Sequence, residues 1–183
     1  MKSSCYIALL RGVNVGRAKR IAMADLRKLI SDLGFSGVRS LLNSGNVVFR
    51  GAAQKTAAVA AAIEEALVLK LGVASRVTVL TADELNAVLA ANPLLAHATD
   101  LARMLVFVLT NPADRKLVEP LDGQDWRPEA LALGKRAVYV WCPTGMIDSR
   151  PAAALGKALG DATTSRNWNT LCKLRALCEE APT

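Results

Sequence analysis

The order of hydrophobic patterns between residues 5 and 80 constrains the fold of this chain most. A nearly continuous apolar run over 5–13 predicts a buried strand, and apolar residues at i, i+3, i+4 and i+7 over 24–33 predict an amphipathic helix. Further along, the patterns predict strands over 38–42 and 46–50, a helix over 53–71 and a strand over 76–80. This β-α-β-β-α-β order predicts a ferredoxin-like unit, in which two helices cover one face of an antiparallel sheet. The helix residues expected to face the sheet are Leu26, Leu29, Ile30, Leu33, Val59, Ile63 and Leu67.

The second half of the chain repeats part of this order. The patterns predict a strand over 104–110, a short helix over 112–119, a hairpin over 129–133 and 137–142, and helices over 151–159 and 168–179. We therefore expect an α+β fold in which the ferredoxin-like unit (1–81) packs with a related βαββα(α) half (82–183). No low-complexity linker separates the halves, so one composite domain is the alternative. Thr81 and Glu84 form a capping-box pattern that starts a helix at the boundary.

The composition favours a cytoplasmic protein without a membrane partner. No apolar run reaches the roughly 20 residues that span a bilayer. The first apolar stretch is interrupted by Arg11 and lacks the small-residue site of a secretory signal. The four cysteines show no C-x-x-C spacing and are expected to be reduced thiols. With His97 as the single histidine, neither a metal site nor a cofactor is expected.

Positive charge is concentrated at the start of the sequence. The first 50 residues carry nine Lys or Arg against two Asp, so the formal net charge of +7 arises there. Such clustering favours an anion-binding surface. Solvated lysines and arginines without a function would give the same composition, and both interpretations stay open.

Two polar segments are candidates for ligand binding. The loop Arg11–Arg20 combines two glycines, an asparagine and four cations, but it has neither the Walker spacing nor the dinucleotide-binding spacing. In the segment Ser165–Thr170, Asn167 as an N-cap would place polar side chains at the amide-rich start of the last helix. The candidate anion contacts are Arg11, Asn14, Arg17, Lys19, Arg20, Asn46, Arg166, Asn167 and Asn169.

We expect these two segments to line one pocket. Both are rich in residue types that core packing explains poorly. The competing explanation is purely structural: the glycines serve turns, Asn167 caps a helix and Trp168 fills a core.

Neither a catalytic signature nor a base-stacking surface stands out. His97 lies in an apolar context without a nucleophile motif, and no catalytic residue can be assigned. The topology also matches an RNA-recognition motif, whose central strand needs internal aromatic residues. Ser44 and Asn46 occupy those two positions, so base stacking on the sheet is not expected.

Four sequence blocks together resemble a known family. They are Tyr6–Gly16, Met23–Arg27, Asn43–Phe49 and Arg166–Thr170. The chain is similar, over about residues 4–178, to the bacterial family named domain of unknown function 1697. That resemblance implies a two-part α+β fold with ferredoxin-like elements and implies no reaction. Family members often continue with a second glycine after Gly16, where this chain has Arg17.

These observations favour a non-catalytic binding protein for an anionic partner, either nucleic acid or a phosphorylated metabolite. Nucleic-acid binding would be weak, insensitive to base sequence and strongly dependent on salt. A small enzyme acting on a phosphorylated or carboxylated substrate is one alternative. An interaction protein without a ligand is the other.

Overall fold

The computed structural model describes residues 3–16 and 19–180, which form two compact units. Unit 1 comprises the described residues of Met1–Leu85 and Leu174–Thr183, and unit 2 comprises Asn86–Lys173. The sequence analysis placed one boundary at residue 81. The unit boundaries fall inside two helices, and the described residues from Leu174 onward belong to unit 1.

Unit 1 has the predicted β-α-β-β-α-β order. Its strands are β1 (Ser3–Leu10), β2 (Ser36–Leu41), β3 (Asn46–Ala52) and β4 (Val77–Thr81), and its helices are α1 (Met23–Asp32) and α2 (Thr56–Leu71). The strands form an antiparallel sheet in the order β2-β3-β1-β4. Helix α3 (Ala82–Ala90) then leads into unit 2. The Thr81 and Glu84 side chains accept each other's backbone N–H at 3.1 and 2.9 Å, which confirms the capping box.

The helix residues predicted to face the sheet do form the core of unit 1. Six of the seven are at most 2% exposed, and Leu33 packs at the edge of the same cluster. The core also contains Tyr6 and Phe49, and the partly buried Phe35 packs against it. The ring centroids are 5.7 Å apart for Tyr6–Phe49 and 4.8 Å apart for Phe35–Phe49. Because Tyr6 and Phe49 are buried, neither ring is available to stack on a base.

Unit 2 repeats the strand arrangement of unit 1. Its elements are β5 (Met104–Leu109), β6 (Ala130–Leu133), β7 (Ala137–Trp141), α4 (Arg150–Leu159), β8 (Thr163–Asn167) and α5 (Trp168–Glu179), which runs on into unit 1. Short 3-10 helices cover Leu101–Arg103, Pro112–Leu117, Glu119–Leu121 and Gly160–Ala162. The sheet order β6-β7-β5-β8 places its strands as β2-β3-β1-β4 are placed in unit 1. The α+β fold with two related halves is therefore confirmed.

One strand of unit 2 differs from the expected βαββα(α) order. The segment Thr163–Asn167, expected to be a loop and helix start, is strand β8 and pairs with β5. Its sequence, Thr-Thr-Ser-Arg-Asn, contains no apolar residue and so carries no alternation signal. Backbone pairing forms the strand, together with the Thr163 hydroxyl, which donates to the Val108 carbonyl at 2.8 Å.

The expectation of four reduced thiols is wrong for two of the cysteines. Cys5 on β1 and Cys178 on α5 form a disulfide, with their Cα atoms 6.0 Å apart. Two arginines of the unit 1 sheet hold the same helix end: Arg50 donates to the Cys178 carbonyl at 2.7 Å, and Arg39 donates to the Leu177 carbonyl. These bonds satisfy carbonyls that a helix leaves open at its C-terminus, so this end of α5 is fixed to unit 1.

Among the helices within residues 3–16 and 19–180, none has the length and apolarity needed to cross a membrane.

Candidate functional site

Asn14 organises the loop that follows β1. Its backbone adopts the left-handed conformation, with φ 56°. The Asn14 side-chain amide donates to the carbonyls of Ile21 (2.8 Å) and Asn43 (2.7 Å), and its oxygen accepts from the Ile21 N–H (2.9 Å). These bonds close the loop between residues 14 and 21 and fasten it to the turn between β2 and β3. The Asn14 side chain therefore stabilises the loop around the site. Its direct contact with a ligand stays a prediction.

The β2–β3 turn lies against the end of β1 because Gly45 has no side chain. A Cβ at Gly45 would lie 2.6 Å from Val13 Cγ2 and 2.7 Å from Leu10 Cβ. Its φ of 76° also favours glycine. Asn46, which is fully buried, donates to the Leu41 carbonyl at 3.0 Å and to the Ser44 hydroxyl at 2.9 Å. The buried side chain of Asn46 therefore stabilises the β2–β3 turn through these two hydrogen bonds.

A cavity of about 390 Å³ lies where this turn meets the loop and the start of α1, and we name it the loop cavity. It is lined by Asn14, Arg20, Ile21, Ala22, Met23 and Asn43. Within the part of the chain that the structure describes, the Arg20 guanidinium and the Asn43 side-chain amide make no hydrogen bond or ion pair. Both groups are therefore available to a ligand.

The first turn of α1 begins beside the loop cavity and has open backbone donors. Its N-cap is Ala22, which has no side-chain acceptor, so no side chain caps the helix. The N–H groups of the first helical residues point away from the helix without an intrahelical partner. They also carry the positive end of the helix dipole.

The charge around the loop cavity is mainly positive. Arg20 lines it, and Lys19 lies exposed beside Arg20 in the same loop. The opposing charge in the first turn of α1 is the exposed Asp25. Cations and open N–H groups suit an oxyanion. Among the residues that the structure describes, no three His, Cys, Asp or Glu side chains are grouped as metal ligands.

The structure divides the predicted contact residues between the units. Asn14 and Arg20 line the loop cavity. Three others also belong to unit 1: Arg11 and Lys19 lie in the loop after β1, and Asn46 is the first residue of β3. Arg17 lies outside the described residues. The contacts predicted in unit 2 are Arg166, Asn167 and Asn169. That the two segments share one pocket stays a prediction.

The unit 2 segment has clear structural roles. The Arg166 Nη1 donates to the Thr164 hydroxyl and to the Ser165 carbonyl, both at 2.8 Å. Burial lowers the pKa of Arg166 to about 10, so the guanidinium stays charged at neutral pH. Asn167 caps α5, since its side-chain oxygen accepts from the N–H of Asn169 at 2.8 Å. Trp168 is buried, as the structural explanation expects.

The sequence analysis missed four residues of the loop cavity: Ile21, Ala22, Met23 and Asn43. One signal was present in the sequence. Helix α1 follows a basic loop, yet it has alanine where a capping Ser, Thr, Asp or Asn is usual. A helix start that lacks a capping residue and follows cations in the sequence therefore indicates backbone N–H groups that are open to an anion.

Cys142 does not supply a reactive nucleophile. Its side chain is fully buried. Burial is the main cause that raises the pKa of the thiol, and the charge of Glu129 adds to it, while a hydrogen bond with Ser149 opposes the rise. A thiol with a raised pKa stays protonated at neutral pH, whereas nucleophilic attack needs the thiolate.

Comparisons with other proteins agree with this fold. A conserved bacterial protein, SP0830 from Streptococcus pneumoniae, has a similar structure with a TM-score of 0.77 and 24% sequence identity, over 97% of this chain and 100% of that chain. At that identity the likeness concerns the fold alone. No curated protein shows a significant match. The model of the family described as "Protein of unknown function (DUF1697)" matches residues 3–139. The match covers most of the chain, and the protein therefore belongs to this family.

Proposed function

We propose that the chain is a cytoplasmic, non-catalytic protein that binds a small phosphorylated metabolite in the loop cavity. One observation carries the proposal: the unengaged guanidinium of Arg20 lines a cavity whose wall is the uncapped start of α1. Arginine and backbone N–H groups form strong hydrogen bonds with phosphate oxygens. The Asn43 amide, also at the wall, adds a neutral donor that fixes orientation.

The shape of the site favours a small molecule over a nucleic acid. The loop cavity, at about 390 Å³, falls within the roughly 300–1,000 Å³ typical of small-molecule sites. Single-stranded nucleic acids are bound largely by stacking on exposed aromatic rings. Tyr6 and Phe49, the rings of the central strands, are buried. A nucleic acid would therefore bind only through charge, with an affinity that falls steeply as salt increases.

Replacing Arg20 with alanine is expected to weaken pyrophosphate binding. Loss of one charge-assisted hydrogen bond costs about 1.5–3 kcal/mol, or roughly tenfold to a hundredfold in Kd. Isothermal titration calorimetry at moderate salt measures this change.

Lys55→Ala is the matched control. It removes one exposed positive charge beside the start of α2, which also lacks a side-chain cap. We expect Lys55→Ala to bind pyrophosphate like the wild type. Equal Kd values for wild type and Arg20→Ala would contradict the proposal, and so would equal losses in both variants. Tighter binding of a short oligonucleotide than of pyrophosphate, persisting as salt is raised, would identify nucleic acid as the partner instead.

A further inference from the structure

Unit 2 contains a second and larger cavity, of about 770 Å³, which we name the hairpin cavity. It lies between α3 and the hairpin that joins β6 to β7. Its apolar wall comes from Ala87, Val88 and Ala91 on α3 and from Leu133 and Tyr139 on the hairpin. Arg115, Lys135 and Arg136 add positive charge to the lining.

Tyr139 builds the floor of the hairpin cavity with its ring. The residue is 1% exposed, and its hydroxyl donates to the Val88 carbonyl at 2.6 Å. This hydrogen bond joins the hairpin to α3. It uses the hydroxyl proton, which is therefore not available to a ligand. Burial raises the pKa of Tyr139 to about 12, so the hydroxyl remains neutral at physiological pH. Tyr139 therefore offers a ligand mainly an apolar surface.

Gly134 keeps the hairpin close to this floor. A Cβ at position 134 would lie 2.9 Å from the Ala137 carbonyl oxygen and 3.0 Å from Tyr139 Cε2. A larger residue would push the hairpin away from the tyrosine ring. Glycine thus lets the cationic turn that follows lie beside the apolar wall.

Lys135 gives the lining of the hairpin cavity a positive charge that no described residue pairs. Arg115 Nη1 contacts the Glu119 carboxylate at 2.6 Å, and Arg115 Nε donates to the Gly134 carbonyl at 3.1 Å, which holds Arg115 against the turn. Lys135 is exposed, and its ammonium has no hydrogen bond or ion pair with any residue that the structure describes. Lys135 therefore leaves this edge of the cavity with a positive charge that a ligand can pair.

The geometry points to the hairpin cavity as a binding site for an organic monoanion, a carboxylate joined to an aliphatic or aromatic body. The apolar body covers the wall formed by Val88, Leu133 and Tyr139, and the carboxylate lies at Lys135. An inorganic anion would leave the apolar wall in water, and a neutral apolar molecule would form no ion pair with Lys135. Mostly apolar walls with a few convergent polar groups are usual for small-molecule sites. This cavity is separate from the loop cavity, so the inference does not depend on the function proposed there.

Titration calorimetry with three probes tests the class of ligand. We expect octanoate to bind at least about tenfold more tightly than octanol and than inorganic phosphate, because only octanoate satisfies both parts of the cavity. Equal affinities for octanoate and octanol would show that the Lys135 charge takes no part in binding, and would overturn the inference. Tighter binding of phosphate, or no binding of octanoate, would likewise overturn the inference.

Two variants test whether octanoate binds in the hairpin cavity. Lys135→Glu reverses the charge at the edge, and Ala87→Phe fills the cavity from an exposed position on α3. Each is expected to weaken octanoate binding about tenfold or more while far-UV circular dichroism stays unchanged. Lys157→Glu, the same charge reversal on α4 of unit 2, is expected to leave it unchanged. Wild-type affinity in both cavity variants overturns the inference, and so does loss of octanoate binding in Arg20→Ala.

Discussion

Replacing Ile63 with alanine is expected to lower the free energy of unfolding by about 2–5 kcal/mol, because the substitution removes buried methyl groups and leaves a cavity. Ile63 is fully buried on the face of α2 that packs on the unit 1 core. Leu69→Ala is the matched control on the same helix, since Leu69 is 76% exposed. Its effect is expected to stay within about 0.5 kcal/mol. Urea unfolding followed by circular dichroism measures both changes.

The pair of variants separates burial from helix propensity. Both substitutions introduce alanine, the best helix former, so propensity cannot explain a loss of stability in either. Equal unfolding midpoints for Ile63→Ala and wild type would show that α2 does not bury this face. A loss in Leu69→Ala as large as that in Ile63→Ala would lead to the same conclusion.

The disulfide between Cys5 and Cys178 is expected to have an effect of similar size. It joins residues separated by 173 positions, and in the chain-entropy description a loop of this length corresponds to roughly 5 kcal/mol. Cys178→Ser should lower the stability of the oxidised protein by about that amount. A reductant should lower the stability of the wild type equally and leave Cys178→Ser unaffected. Chemical denaturation with and without the reductant measures these differences.

Cys172→Ser is the control for the disulfide prediction. Cys172 lies on the same helix, α5, outside the disulfide. Its substitution is expected to leave the response to reductant intact. Four thiols that react with an alkylating agent after the protein is denatured without reductant would contradict the disulfide. The bonds from Arg39 and Arg50 to the end of α5 would then hold the helix without the disulfide.

The sequence predicted those elements of the fold whose buried side chains recur at the spacing of a helix or a strand. Helix α1 shows this well, because Leu26, Leu29 and Ile30 recur at helical spacing and are all buried. Strand β8 shows the limit. Its five polar residues are held by pairing with β5, an interaction that leaves no periodic trace in the sequence. The disulfide was missed for a similar reason, since spacing along the chain does not reveal contacts across 173 residues.

The candidate site was predicted in part. Glycine, asparagine and cations in one loop identified Asn14 and Arg20, both of which line the loop cavity. Asn43 was missed because only the hairpin register brings it to that wall. The hairpin cavity gave no sequence signal at all. Its lining comes from α3, a 3-10 helix and a hairpin, and only the folded unit 2 brings these segments together.

Amide chemical shifts during a pyrophosphate titration test the central claim most directly, because the claim places the anion at the start of α1. We expect the N–H signals of Met23, Ala24 and Asp25 to shift in a saturable way in the wild type. The same signals should shift far less in Arg20→Ala. Signals of α2 near Lys55 should stay in place in both proteins. Saturable binding that leaves the first turn of α1 unshifted would contradict the account, as would shifts of equal size at the starts of α1 and α2.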